Sequence, residues 1–215
     1  MYIPNLNSYF IHIPKCGGTS VELAFFKMHG IDLPDRNIGR HLNGNALGEK
    51  FNWGWRVPGL RYESQHITAY HCKKYNVADF NKSTYKFAFV RNPWERFISE
   101  VFWKRQRMLL NVSFEKQIDL YFSEINSDIN IKHAHNAPMW KYVYDENGML
   151  LVDDIFKLEE IDKAEKILSE KFGRNISFGH FNKTDRKEWQ DYITPDIREK
   201  LLPALQRDLE VFGYE

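Results

Sequence analysis

Two stretches of the chain pass from a short apolar run through a tight turn into an amphipathic pattern. Residues 8–13 alternate in β-favouring types and lead through a glycine pair into 19–29, whose apolar side chains mostly share one helical face. Residues 85–90 (YKFAFV) form an apolar run typical of a buried parallel strand, and Pro93 then suits the first turn of a helix. Strands that alternate with helices predict an α/β fold.

The other segments extend this alternation. They are an irregular excursion (31–62), a strand-like piece leading into a helical turn (63–70), a helix with Ser113 as possible N-cap (113–125), a third strand (150–159), a helix closed by glycine (160–173) and one or two C-terminal helices (195–212). We therefore predict a P-loop-like three-layer fold, in which helices flank a mainly parallel central sheet. At 215 residues the chain fits a single domain, 1–215.

Bulk charge and composition exclude several classes of partner. With a net charge of +1, no global basic field attracts nucleic acid, so any anion site must be local. Two cysteines give no disulfide framework and favour a reducing compartment. No signal peptide or run of 18 apolar residues occurs, so we expect a cytoplasmic chain without a membrane segment. No pattern indicates the oligomeric state.

The glycine pair lies in a segment suited to binding an anion. Gly17 and Gly18 permit a tight loop with inward-pointing N–H groups, and Thr19 and Ser20 add hydroxyls at the start of a helix. Lys15 precedes the glycines, whereas the lysine of the Walker A pattern follows them. The alternative is an ordinary strand-to-helix turn with a solvated lysine.

A second basic position follows the strand 85–90. Arg91 stands at the carboxyl end of that strand, where open α/β sheets bind ligands, and its guanidinium suits phosphate oxygens. Ser99 follows eight positions later on the next helix and can add a hydroxyl to the same anion. Alternatively, Arg91 is a strand-end arginine that pairs with a carboxylate.

Together these two segments resemble those of sulfotransferases that use 3′-phosphoadenosine 5′-phosphosulfate (PAPS), in particular the carbohydrate O-sulfotransferase branch. HIPKCGGTS (12–20) is similar to the family's 5′-phosphosulfate loop, and FAFVRNPWERFIS (87–99) is similar to its 3′-phosphate segment. Weaker likeness continues in QHITAY, VDDIFKLEEI and RDLEVFGYE, so the resemblance spans nearly the whole chain.

The resemblance implies a sulfotransferase that moves a sulfuryl group from PAPS to a hydroxyl of a saccharide or other small hydroxylated acceptor. It assigns the 5′-phosphosulfate to Lys15, Cys16, Gly17, Gly18, Thr19 and Ser20, and the 3′-phosphate to Arg91, Ser99 and, more loosely, Arg186. Lys15 would stabilise the leaving phosphate as the S–O bond breaks. A charged helix start is the alternative for Arg186.

His66 is the candidate general base, because the resemblance places a histidine before a helix near the donor. An imidazole pKa near 6.5 suits proton abstraction at neutral pH. Glu63 is a carboxylate alternative, and His12 on the first strand is expected to be structural. The further histidines considered are His71, beside His66, and His133 and His135, which either line the acceptor cleft or lie on a solvated loop.

Three further features qualify this interpretation. Cys16 is either a reactive thiol with a pKa lowered by Lys15 or a small residue chosen to fit. Pro138-Met139-Trp140 departs from the proline–glutamine of many carbohydrate-acting relatives, which leaves the acceptor open. Sulfuryl transfer needs no metal, and the sequence offers no convincing metal site, because His133 and His135 have no Cys or carboxylate partner at ligand spacing.

Two other functions remain open. A P-loop nucleotide kinase or NTPase shares the strand–loop–helix, but the Walker A pattern is missing and LLVDD is the only imitation of a magnesium-binding strand. The other is a nucleotide- or glycan-binding module that has the fold without turnover, which the sequence does not exclude.

Overall fold

A four-stranded mixed sheet organises the chain, which the computed structural model describes over residues 1–33, 37–42, 46–53, 64–108, 114–125, 134–179 and 187–215. Its strands, in spatial order, are β1 (Tyr2–Ile3), β2 (Ser8–Ile11), β3 (Tyr85–Val90) and β4 (Asp154–Lys157). Strand β3 is parallel to both β2 and β4, whereas β1 is antiparallel to β2. The α/β class is confirmed. The sheet is mixed because β1, a two-residue strand that the sequence prediction missed, runs antiparallel to β2.

A helix follows each of the parallel strands. In chain order, the helices of the described residues are α1 (Gly18–Met28), α2 (Ile38–Leu42), α3 (Ala46–Lys50), α4 (Ala69–Lys74), α5 (Ala78–Lys82), α6 (Pro93–Met108), α7 (Phe114–Ile125), α8 (Trp140–Val143), α9 (Ile161–Phe172) and α10 (Pro195–Phe212). Of these, α1 follows β2, α6 follows β3 and α9 follows β4. The long helices match their predicted ranges within one residue, since apolar periodicity and capping residues mark them. Helix α10 is one helix, and the Thr194 hydroxyl caps it by accepting the N–H of Ile197 at 3.4 Å.

Some predicted elements differ in the structure. The prediction of a strand-like piece within 63–70 is wrong, because Ser64–His66 form a 3₁₀ turn. The helical turn that was predicted to follow is α4. The excursion at 31–62 contains the short helices α2 and α3, and its Trp53 is buried in the core. The third strand is shorter than 150–159, and Ser113 lies outside the described residues.

The core explains why β2 and β3 are so apolar. All four residues of β2 and five of the six in β3 are buried, as expected for strands covered on both faces. Phe87 packs against Phe10 of β2 at a ring-centroid distance of 5.3 Å and against Phe25 of α1 at 6.0 Å. A second cluster joins α6, α7 and α10 through Trp94, Val101, Ile118, Tyr121 and Leu205.

The parallel pairing of β2 with β3 positions the site. Residues Ser8 to Ile11 pair in register with Tyr85 to Ala88, so both strands end at the same edge of the sheet. The loop between β2 and α1 therefore lies beside the turn from β3 into α6, and both helices begin at that edge.

Candidate functional site

The loop between β2 and α1 has a backbone conformation that few residues adopt. Lys15 and Gly17 both lie in the left-handed region, with φ of 67° and 80°, and Gly17 is the N-cap of α1. Within the described part of the chain, the N–H groups of Gly17, Gly18 and Thr19 donate no hydrogen bond. Free N–H donors at the positive end of an eleven-residue helix are chemically suited to an anion.

Gly18 is required by its neighbour as well as by the loop. A Cβ at this position would overlap the ring of His12, whose Nδ1 donates to Glu22 Oε1 at 2.8 Å. His12 and Glu22 are buried, so the ring has little room to move away. The predicted structural role of His12 agrees with this arrangement, which packs an imidazole directly under the loop.

The Lys15 side chain is half-buried, and its amine lies over the Trp103 ring at 5.2 Å from the centroid. Burial lowers the pKa of Lys15 to about 8, with the charge of Glu100 opposing this effect and the guanidinium groups of Arg91 and Arg96 adding to it. The amine is therefore still mostly charged at neutral pH, and an anion at the loop would restore its full charge.

Arg91 donates a hydrogen bond to the loop and also pairs with a carboxylate. Its Nη1 donates to the Lys15 carbonyl at 3.4 Å, and its Nη2 donates to Glu95 Oε2 at 2.9 Å. The other oxygen of Glu95 accepts the backbone N–H of Trp189 at 3.2 Å. The alternative of an arginine paired with a carboxylate is therefore the one that the structure contains, and Glu95 would compete with any anion for this guanidinium.

Two of the predicted hydroxyl groups lie in the first turn of α1, and the third lies on α6. Thr19 is half-buried and Ser20 is buried in the first turn of α1. Ser99 is half-buried on α6, one turn beyond Glu95, and its hydroxyl makes no hydrogen bond to a described residue. Arg186 lies outside the described residues.

His66 lies beside the loop through its contact with His12. Its Nδ1–H donates to the His12 carbonyl at 3.2 Å, which leaves Nε2 as the acceptor nitrogen of the neutral ring. The two rings meet edge to face at 4.5 Å. Burial, together with the neighbouring imidazoles, lowers the pKa of His66 well below its usual 6.5. The expectation of an unperturbed imidazole is therefore wrong: the ring is neutral at pH 7 and takes up a proton less readily than a solvated imidazole does. Glu63 and His133 lie outside the described residues.

Cys16 turns away from the loop surface. Its buried Sγ lies 3.5 Å from Met139 Sδ and 3.6 Å from the Pro14 carbonyl. Burial raises the pKa of this thiol to about 12, so the alternative of a reactive cysteine is contradicted and the small residue chosen to fit is what the structure contains. Met139, the departure noted in the sequence, is the residue that covers it.

Sequence reasoning missed the residues of α6 that complete the surroundings of Lys15. Glu100 is buried and accepts the Nδ1–H of His135 at 2.9 Å, while the His135 ring stacks on Trp103 at 4.5 Å. Arg96 donates to the carbonyls of Pro14 and His135 at 3.0 and 2.9 Å. A signal was present, since Arg96 and Glu100 are charged residues four positions apart beside the apolar stripe of α6.

These residues form a continuous series of contacts that begins and ends on the same loop. Gly18 packs against the His12 ring, and ring-centroid distances are 4.5 Å from His12 to His66, 5.2 Å from His66 to His135 and 4.5 Å from His135 to Trp103. The series closes where the Lys15 amine lies 5.2 Å from the Trp103 ring centroid. These contacts link the loop to the His66 ring, whose lowered pKa keeps it neutral at pH 7. Such an arrangement can bind a doubly charged group at the loop and accept a proton nearby.

The described ranges contain no group of three or more His, Cys, Asp or Glu side chains placed to hold a metal ion. In the same ranges, no helix has the length and apolar character needed to cross a membrane.

Comparisons with known proteins match the chain at the level of a family. A family model described as the sulfotransferase family matches residues 3–215, which is nearly the whole chain. No curated protein and no solved structure gives a significant match.

Proposed function

The chain belongs to the sulfotransferase family, and we propose that it transfers a sulfuryl group from PAPS to a hydroxyl of a carbohydrate or other small hydroxylated acceptor. We propose a single domain over residues 1–215 with a P-loop-like layered arrangement. The acceptor class rests on the resemblance to the carbohydrate O-sulfotransferase branch.

The observation that carries the proposal is the loop between β2 and α1. Its free N–H groups from Gly17 to Thr19, the half-buried amine of Lys15 and the guanidinium of Arg91 converge on one edge of the sheet. The close approach of Gly18 to His12 leaves no room for a side chain at the base of this loop. These features fit a phosphosulfate, which needs many donors close to the backbone and a cation beside the bond that breaks.

On the donor side, PAPS when bound would supply an activated sulfuryl group attached to a phosphate leaving group. The loop N–H groups and the hydroxyls of Thr19 and Ser20 hold and orient the anion. Lys15 places its charge where negative charge develops on the leaving oxygen. Arg91 and Ser99 bind the 3′-phosphate, with Arg91 exchanging Glu95 for the phosphate oxygens.

On the acceptor side, His66 is the proposed general base. Its Nδ1–H is held by the His12 carbonyl, so Nε2 can take the proton of the attacking hydroxyl. A lowered pKa keeps the ring neutral at pH 7 and makes it a weaker base than a solvated imidazole.

Binding of 3′,5′-ADP, measured against ATP with Mg²⁺ by calorimetry and thermal shift, tests the donor. We expect the native chain to prefer 3′,5′-ADP. We expect Lys15→Ala to bind it roughly 10- to 100-fold more weakly, because a charge-assisted hydrogen bond contributes about 1.5–3 kcal/mol. Lys27→Ala, which removes an exposed lysine from the last turn of α1, is the matched control and should bind normally. A preference for ATP with Mg²⁺ would instead support the kinase or NTPase alternative.

Transfer of labelled sulfate from PAPS to a panel of p-nitrophenyl monosaccharides and simple phenols tests the reaction. His66→Ala should keep its 3′,5′-ADP affinity and lose roughly tenfold or more in turnover. Tight 3′,5′-ADP binding without transfer to any member of the panel would favour a binding module without turnover.

A further inference from the structure

The pair Glu100–His135 lies beside the site and has no role in the reaction as described so far. Glu100 Oε2 accepts the His135 Nδ1–H at 2.9 Å, and the Glu100 side chain is only 4% exposed. Its other oxygen, Oε1, makes no hydrogen bond to a described residue and lies 3.7 Å from Lys104 Nζ. Burying this carboxylate costs desolvation free energy, which its hydrogen bond with the imidazole offsets in part.

The hydrogen bond fixes which nitrogen of His135 can accept a proton. An ionised carboxylate only accepts, so the neutral ring carries its proton on Nδ1 and has its lone pair on Nε2. Burial alone would raise the pKa of Glu100, but the hydrogen bond from His135 and the charges of His135, Lys104 and Lys15 outweigh burial and lower it. Glu100 is therefore a carboxylate at neutral pH, placed to stabilise an imidazolium on His135.

The position of His135 puts it at the reacting end of the site. Its ring contacts both the His66 ring, at 5.2 Å, and Trp103, over which the Lys15 amine lies. Arg96 donates to both the His135 carbonyl and the Pro14 carbonyl, which ties the segment to the loop. About a quarter of the His135 side chain is exposed (24%), so an acceptor can reach the ring.

His66 and His135 differ in what stabilises a proton on the ring. The Nδ1 of His66 donates to a backbone carbonyl, and its pKa is well below 6.5 because of burial. The Nδ1 of His135 donates to a carboxylate, which offsets the positive charge that proton uptake creates. Of these two imidazoles, His135 is the one next to a carboxylate.

We propose that His135, oriented by Glu100, is a second proton-accepting residue of the acceptor half of the site. The inference rests on the proposed sulfuryl transfer. The acceptor oxygen forms a bond to sulfur, and the bond from sulfur to the phosphate oxygen breaks with its electron pair left on the phosphate. In each turnover, the proton of the attacking hydroxyl goes to Nε2 of either His135 or His66. Nothing is oxidised or reduced.

Turnover of the variants His66→Asn, His135→Asn and their combination tests this assignment, with labelled PAPS and the acceptors that the native chain sulfates. Positioned general bases contribute about 10²- to 10⁴-fold to rate, so with two bases each single variant should lose roughly tenfold in kcat and the double variant roughly 10²-fold or more. Affinity for 3′,5′-ADP should stay within about twofold throughout. The inference is overturned if His135→Asn has the kcat of the native chain and the double variant has the kcat of His66→Asn. That result would leave the proposed function intact.

A native chain that transfers no sulfate defeats the proposed function, and this inference with it. If His135→Asn does not fold, Glu100→Gln replaces it, because glutamine keeps the shape of the side chain and removes the charge. A positioning role for Glu100 predicts a lower kcat in Glu100→Gln and no further loss when the same change is made in His135→Ala. It also predicts that added imidazole restores turnover to His135→Ala, an effect that a purely structural defect does not give. Independent losses from the two changes, or no restoration by imidazole, contradict it.

Discussion

Proton uptake on binding of 3′,5′-ADP is the sharpest test of the role of Lys15. Burial lowers the pKa of this amine to about 8, so in the free protein about a tenth of the side chains are neutral at pH 7 and about nine-tenths at pH 9. A bound anion raises the pKa, because an opposite charge within a few ångströms favours the charged form. Affinity should therefore fall about tenfold between pH 7 and pH 9, which corresponds to about 1.4 kcal/mol.

The window from pH 7 to pH 9 separates Lys15 from other titrating groups. The phosphate groups of the ligand titrate near pH 6, and the pKa of Cys16 is raised to about 12 by burial. At pH 8, calorimetry in two buffers of different ionisation enthalpy should give an uptake of about half a proton for each 3′,5′-ADP bound. Lys27→Ala, the exposed control, should show the same uptake.

Lys15→Arg is the decisive variant, because arginine stays charged throughout this window and can still bind an anion. It should bind 3′,5′-ADP with no proton uptake and with an affinity that is flat from pH 7 to pH 9. The reasoning fails if the native protein shows a flat affinity over this range, or if Lys15→Arg takes up the same fraction of a proton as the native chain.

Three further predictions concern the loop and the core beneath it. Gly18→Ala should lower the free energy of unfolding in urea by about 1–3 kcal/mol, because the new methyl overlaps the His12 ring. The loss should be smaller when Gly18→Ala is made in the His12→Ala variant, and an equal loss in the native chain and in that variant would contradict the overlap. Cys16 should react with a thiol reagent at pH 8 no faster than the protein unfolds, because its thiol is buried and has a pKa of about 12. Rapid labelling of the folded protein would contradict the burial of Cys16. Asp208→Ala should lower the free energy of unfolding in urea by about 2–5 kcal/mol, because the buried carboxylate accepts two backbone N–H groups at the start of α8, both at 2.9 Å. A loss below about 0.5 kcal/mol would refute this.

The parts of the fold that could be predicted are those with a local signal. The run YKFAFV and the proline after it mark β3 and α6, and a glycine marks the end of α9 in the left-handed region. Strand β1 was missed because two residues are too few to show an alternating pattern. Helices α2 and α3 have five residues each, too short to be stable alone, so they depend on tertiary packing such as that of the buried Trp53.

The candidate site divides in the same way. Lys15, Gly18 and Arg91 follow from loop chemistry and from the position of strand ends, and the structure brings all three to one edge of the sheet. The partnership of Glu100 with His135 joins residues 35 positions apart and needs the tertiary fold. The lowered pKa of His66 could not be foreseen either, because it depends on burial and not on the identity of its neighbours in sequence.

The left-handed backbone of Lys15 has a consequence for how this chain would evolve. A residue with a Cβ pays about 1–2 kcal/mol to adopt φ near 67°, whereas glycine adopts it freely and asparagine more easily than lysine. Selection for thermal stability alone should therefore replace Lys15 with glycine or asparagine, and selection for turnover should retain lysine against that pressure. The residue found at position 15 after many generations of laboratory evolution would show which of the two the population had been selected for.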